Sequence, residues 1–224
     1  ASNPSFFIWT VTSLMETGLW AALLLTTVTL LLYSINDERT AQSRLYGFAS
    51  LNVLMLLTRP EAMAWVLYFL AMLLIVLRWQ ENSLKSALRR WLPIVAICAV
   101  SLAALIIFRL SYFGYPLPNT YYAKMTPDKL YDIKFGLIYL RWFLAMNWFA
   151  AIPILLSIGI VGRYTPAIVL SLIHGPKRIN RNELAGFCAG SATLVGILLP
   201  VLMGGDIFGA FRFYQPIWPL LLIP

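Results

Sequence analysis

The chain has 224 residues, 60% of them hydrophobic and only 12% charged, and its mean hydropathy is +0.77. A soluble domain carries about twice that charged fraction. Here the apolar residues come in blocks of bilayer-crossing length, which excludes an ordinary soluble fold and points to an all-α, polytopic transmembrane helical bundle. The formal net charge is +8, from 17 Lys+Arg against 9 Asp+Glu; most cations stand between the apolar blocks, where they set topology, so nucleic acid is set aside as a partner and a lipid bilayer is the expected surroundings.

Taken in chain order, residues 5–15 carry Phe6, Phe7, Ile8 and Trp9 among hydroxyl residues behind Pro4, the pattern of a short interfacial helix. The first span covers about 17–34. After a polar stretch, an apolar region from Leu45 to Leu77 is broken by Thr58-Arg59-Pro60-Glu61. Pro60 removes a backbone donor, so two spans are expected, about 45–58 and 62–77. Arg78 to Arg90 reads as a cationic loop, and 92–108 as the next span, ending at Arg109. A tyrosine- and proline-rich segment follows.

At Thr126-Pro127-Asp128, Thr126 is the expected N-cap, with Pro127 at the first helical position and Asp128 facing the positive helix end. That helix is read as running into one span over 136–160. Residues 163–183 read as a basic polar segment, 184–203 as a further span, and 215–224 as the start of another. The chain is thus a single transmembrane domain over 1–224. It begins with Ala and ends in an apolar run too short to cross ~30 Å of hydrocarbon, so it is expected to be an internal piece truncated at both ends. Cys98 and Cys188 lie inside apolar runs and read as small buried hydrophobes. Neither has metal-ligand spacing, and His174 stands alone.

Orientation follows from the cations. With 35–44 inside and the spans alternating, the inner loops hold Arg39, Arg44, Arg78, Lys85, Arg89, Arg90, Arg163, Lys177, Arg178 and Arg181, ten in all. The outer segments hold six: Arg59, Arg109, Lys124, Lys129, Lys134 and Arg212. Arg141 lies within a helix. The positive-inside bias favours this arrangement, and parity alone then puts the segments around Glu16, Arg59-Pro60-Glu61, Arg109 to Lys124, and Asp206 with Arg212 on the outer face.

Those segments carry the chemistry. Glu16 is a carboxylate at a span end, costly there unless paired or wet; it either reaches headgroups or serves a site. Arg59 and Glu61 flank a proline, and form either a local ion pair or a pair that orients a ligand. In Arg109-Leu-Ser-Tyr-Phe-Gly-Tyr-Pro-Leu-Pro-Asn-Thr-Tyr-Tyr-Ala-Lys124, Pro116 and Pro118 stiffen the chain. Tyr112, Tyr115, Tyr121 and Tyr122 offer faces and hydroxyls, Asn119 a donor and an acceptor, and Arg109 and Lys124 can neutralise phosphate. The bland alternative is an aromatic belt. Gly204-Gly205-Asp206 permits a tight turn, where Asp206 can accept from sugar hydroxyls and Arg212 can pair with it or with phosphate.

Met15-Glu16-Thr17-Gly18-Leu19, Thr58-Arg59-Pro60-Glu61, the string Leu117 to Lys124 with its upstream Arg109, and Gly204-Gly205-Asp206 followed by Phe211-Arg212-Phe213 occur in this order. Together they resemble the bacterial GT-C membrane glycosyltransferases, in particular the terminal β-(1→2) arabinofuranosyltransferase family. The resemblance spans about residues 13–219, and Leu117 to Lys124 is its most specific part. It implies an inverting glycosyltransferase of the bacterial inner membrane, active on the extracytoplasmic side in cell-wall biogenesis. Such an enzyme moves a sugar, here arabinofuranose by resemblance, from a polyprenyl-phosphate donor to a glycan acceptor. No cofactor is implied, and a divalent metal is left open.

The catalytic base of such enzymes lies in the first outer loop, which would precede this chain, so this piece alone is expected to be inactive. Carried over, Arg59, Arg109, Lys124 and Arg212 would bind donor phosphate. Asn119, Tyr121, Tyr122 and Asp206 would line the sugar pocket, with Glu16 and Glu61 orienting them. The alternative reading is a polytopic transporter or lipid-linked sugar flippase. Broken helices and intramembrane charge suit it, but no internal repeat is evident and the charges sit at helix ends.

Overall fold

The computed structural model describes residues 16–81, 83–118, 122, 128–174, 179–206 and 210–222. Among them the fold is all-α, without strands. The α-helices given with bounds among the described residues are α1 (Thr17–Asn36), α2 (Gln42–Thr58), α3 (Ala62–Gln80), α4 (Leu84–Phe113), α5 (Lys129–Met146), α6 (Ala151–His174) and α7 (Arg181–Leu202). Short 3-10 segments lie at Trp148–Ala150, Arg212–Ile217 and Leu220–Leu222. α1, α3, α4, the Trp148–Ile173 stretch and α7 are long and apolar enough to cross a membrane, so the protein is multi-pass by length and composition.

The helix ends follow local chemistry. Ser83 caps α4 by accepting from the Ser86 amide at 3.1 Å, and Gly114 closes it with φ +75°. Asn180 and Glu183 form a reciprocal capping box at the start of α7. At α5 the cap is Asp128, which accepts from the Leu130 and Tyr131 amides at 2.9 and 3.3 Å; Asp128 has its own oxygen in reach of those donors, and so takes the place expected for Thr126, which lies outside the described residues.

Named bonds tie the two ends of the bundle. At one end Gln80 Nε2 donates to the Ser34 carbonyl at 2.7 Å, Trp79 to the Ile179 carbonyl at 3.0 Å, and Arg181 to the Asn36 carbonyl at 3.2 Å. Glu81 pairs there with Arg39 and Arg90. At the other end Glu16 meets Arg59. α1, α2 and α3 therefore run alternately between these ends. The core between them holds Leu24, Leu31, Met55, Phe69 and Leu73, all buried, and so are Cys98 and Cys188. α4 and α6 leave most of their apolar surface exposed, the side that hydrocarbon would cover.

Four boundaries differ from the sequence expectation. The single span over 136–160 is two helices, because the chain breaks at Asn147 and tightens into the 3-10 turn Trp148–Ala150. Asn147 Nδ2 donates back to the Phe143 carbonyl at 3.0 Å, taking an acceptor at the helix end. The 163–183 segment is not a loop: α6 continues to His174 with Pro166 inside it. The 78–90 loop contracts to a few residues, since α3 reaches Gln80 and α4 begins at Leu84. The final element is not an α-helix over its described part but two 3-10 segments. The interfacial helix expected over 5–15 lies outside the described residues.

That last segment returns along α7. A Cβ on Gly196 would stand 2.6 Å from the Ile217 side chain, and Thr193 Oγ1 donates to the Leu220 carbonyl at 3.4 Å. It also packs on α5 through an aromatic cluster. Phe143 stands 4.4 Å from Tyr214 and 5.6 Å from Trp218 between ring centroids, and Trp218 stacks on Phe149 at 5.5 Å.

Candidate functional site

The break between α2 and α3 places Arg59 and Glu61. Arg59 is extended at φ −146°, Pro60 turns the chain, and Glu61 opens α3 in helical conformation. The Ala62 amide then donates to the Arg59 carbonyl at 3.2 Å. The break thus folds both side chains inward at one end of the bundle. Arg59 Nε donates to Glu61 Oε1, and Arg59 Nη1 lies 3.3 Å from Glu16 Oε1 at the start of α1. The Nη1 contact is within ion-pair distance, yet it lacks hydrogen-bond geometry, so this buried nitrogen makes no hydrogen bond among the described residues. Arg59 is buried and Glu61 mostly so, whereas the Glu16 side chain is 42% exposed, which makes Glu16 the open edge of the group.

The 204–218 segment brings the second pair. Gly204 and Gly205 turn the chain with φ of +80° and +73°, and Ala210 and Phe211 also adopt left-handed backbone, at +57° and +52°. Two consecutive non-glycine residues there are strained, and cross-bonds hold them. Arg212 Nε donates to Asp206 Oδ2 at 2.8 Å, the Phe213 amide donates to the Tyr139 hydroxyl at 3.3 Å, and Gln215 Nε2 donates to the Ala210 carbonyl. Tyr139 in turn stacks on Tyr214 at 5.2 Å.

Phe213 joins the two pairs. The Arg59 guanidinium lies 5.1 Å from its ring centroid and that of Arg212 5.5 Å, both within cation–π range. Two guanidinium groups, three carboxylates and one ring therefore converge from α1, the α2–α3 turn and the 206–213 segment. Beside them a narrow recess, with room for about one water, is lined by Trp20, Glu61, Trp65, Met203 and Phe213 among others. Three carboxylates against two guanidiniums leave the group formally one negative charge in excess, so an anion held here requires a further cation. Lys129 does not change this balance, since it is paired with Asp132 at 3.5 Å, which packs against Gly204.

The structure thus gathers Glu16, Arg59, Glu61, Asp206 and Arg212 from the sequence-nominated residues. It does not bring Arg109 to them. Arg109 lies in the last turns of α4, which packs on α2 and α3, and its side chain makes no ion pair or hydrogen bond among the described residues. The reason is length. α4 has 30 residues, about 45 Å at the helical rise, and its last turns stand clear, with Phe108, Tyr112 and Phe113 exposed. Tyr122 is half exposed, its ring 5.5 Å from Tyr115. Asn119, Tyr121 and Lys124 lie outside the described residues.

Tyr139, Phe213 and Gln215 were not singled out in the sequence. Phe213 stood within the Phe211-Arg212-Phe213 string, but Tyr139 is one aromatic in an apolar helix, with no local signal. No family model matches the chain, and no curated protein and no solved structure is significantly similar to it.

Proposed function

We propose that this protein is the membrane-embedded part of an inverting glycosyltransferase. It moves a sugar from a polyprenyl-phosphate donor to a cell-envelope glycan, at the end of the bundle that carries Arg59. The observation that supports this most is the convergence of Arg59, Arg212, Glu16, Glu61 and Asp206 on Phe213. Carboxylates accept from sugar hydroxyls, an aromatic ring takes the apolar face of a sugar, and guanidinium groups suit phosphate. Burial between helices fixes their directions before substrate arrives. The resemblance to arabinofuranosyltransferases makes arabinofuranose the favoured sugar, and the cation distribution makes the Arg59 end extracytoplasmic in a bacterial inner membrane.

In this reading a base outside this chain removes the proton of an acceptor hydroxyl. The oxygen attacks the anomeric carbon, and the bond to the lipid phosphate breaks with its electron pair leaving on phosphate. Arg59 and Arg212 stabilise that charge. By the resemblance Lys124 supplies the further cation, Glu61 and Asp206 hold the guanidinium groups, and the exposed Glu16 accepts from the sugar. The test is transfer from a radiolabelled polyprenyl-phosphate sugar to acceptor glycan in membranes containing the full protein. Arg59→Gln and Arg212→Gln should each lose roughly a hundredfold in rate per folded molecule, the folded fraction being measured by size-exclusion of the same preparations. Movement of intact lipid-linked sugar between leaflets without transfer would replace the enzyme with a flippase.

A further inference from the structure

α5 lies across the end of the bundle that carries Arg59. Asp132, Gly136 and Tyr139 stand on successive turns of α5, and they meet Gly204, Val201 and Gly205. About 10 Å of α5 therefore faces one short stretch at the end of α7 and just beyond it. A helix running down α7 would instead meet residues progressively deeper in it. Tyr139 also accepts from the Phe213 amide, and Phe213 is the ring that touches Arg59. α7 has 22 residues, about 33 Å of helix, close to the thickness of the hydrocarbon. Its end, and with it this part of α5, stands at the membrane boundary. Among the described helices α5 is not one of those apolar enough to cross a membrane.

Its two faces differ. Asp132, Gly136 and Phe143 are buried against the bundle. Lys134 and Arg141 are exposed, and each stands two residues, about 200° of turn, from a buried neighbour. Seven residues separate the two cations, so they share the face turned away from the bundle, about 10 Å apart along the helix. Exposed Leu137, Ile138 and Trp142 surround them. Lys129 is paired with Asp132, but Lys134 and Arg141 make no ion pair or side-chain hydrogen bond among the described residues. No carboxylate of α5 shares their face, since Asp132 is turned into the bundle.

We propose that this face of α5 binds the headgroups of anionic phospholipids in the leaflet at the Arg59 end. Arg141 gives a phosphate two parallel N–H groups, and Lys134 adds a point charge one headgroup further along. The stems of both side chains lie on the apolar surface around them, which acyl chains cover. Two cations without a carboxylate select an anionic headgroup, because a zwitterionic one brings an ammonium group that they repel. This face is separate from the Arg59 cluster and does not depend on the glycosyltransferase reading.

The experiment puts a bimane fluorophore on Ile138→Cys, between the two cations, in the full-length protein with Cys98→Ala and Cys188→Ala. The protein is held in phosphatidylcholine nanodiscs that carry an equal small share of nitroxide-labelled phosphatidylglycerol or nitroxide-labelled phosphatidylcholine. Labelled phosphatidylglycerol should quench at a concentration roughly fivefold or more below that of labelled phosphatidylcholine. Lys134→Gln with Arg141→Gln should bring the two near parity, in a protein that still elutes as a folded species, while Arg141→Lys alone keeps most of the preference. Equal quenching by the two lipids in the protein with both cations intact would overturn the proposal. So would a preference that survives the double substitution, or quenching by neither lipid, which would put the face against protein or water. Displacement of labelled phosphatidylglycerol by a much smaller amount of polyprenyl phosphate would assign the cations to that lipid and overturn it as well.

Discussion

Phe213 lies against Arg59, with 5.1 Å between the guanidinium carbon and the ring centroid, although the two residues come from stretches far apart in the chain. The contact is what joins the α2–α3 turn to the segment that returns along α7. Phe213→Leu keeps bulk and removes the π face, so both arginines lose a partner worth about 0.5–2 kcal/mol. The expected outcome is a transfer rate reduced about tenfold with folding retained, read in the donor–acceptor assay. Full activity would remove Phe213 from the site.

Arg59 is buried and Glu61 largely so, and removing one member of the pair leaves the other with its charge poorly compensated. Arg59→Gln or Glu61→Gln should each destabilise by about 3–5 kcal/mol, on the order of 10 °C in thermal unfolding in detergent. The double substitution should cost clearly less than the two single effects combined. Additive losses would mean that the pair is not coupled.

Two glycines give opposite expectations. A Cβ at Gly136 would run into the Val201 carbonyl oxygen, a backbone atom that cannot swing aside, whereas one at Gly159 meets nothing within 4 Å. Gly136→Ala should therefore force α5 and α7 apart and cost about 1–3 kcal/mol. Gly159→Ala should be neutral or slightly stabilising. Thermal unfolding of the two variants side by side checks the packing of α5 on α7.

Glu81 ties the α3–α4 turn to the 37–40 stretch. The Ser86 hydroxyl foremost, then Arg90 and Arg39, hold its carboxyl below the ordinary value of 4.5, against the opposing effect of burial. The folded state thus binds the proton less readily than the unfolded chain. The stabilisation is complete above about pH 4.5 and is lost as pH falls through the lower folded value. Glu81→Gln should lower stability at neutral pH and flatten its acid limb below about pH 5. An acid limb as steep as that of the unaltered protein would place the titration elsewhere.

Ser83 and Ser111 stand near opposite ends of α4. Cysteine at 83 should be labelled by a membrane-impermeant maleimide only from the cytoplasmic side, and cysteine at 111 only from the other. Labelling of both from one side would refute the orientation drawn from the cations.

The class of fold and most of its helices are legible along the chain. Blocks of apolar residues must be shielded from water whatever their neighbours, and a backbone in hydrocarbon must satisfy its own hydrogen bonds, which leaves helices. The break at Pro60 was legible for the same local reason. So was a helix start near Asp128, although the cap itself went to a different oxygen. The Asn180–Glu183 capping box was present as a spacing and could have been read.

The turn at Asn147–Ala150 was not legible, because a 3-10 turn of Trp, Phe and Ala leaves no trace in hydropathy. Nor was the separation of Arg109 from Arg59. Both stand at ends of neighbouring spans, and parity puts them on one face, but the length of α4 carries Arg109 away. The meeting of Arg59, Arg212 and Phe213 has no local signature. Which side chains meet depends on how α5, α7 and the returning segment pack. That packing rests on contacts such as Gly136 on Val201 and Gly196 on Ile217, whose partners lie too far along the chain for any local pattern to name them.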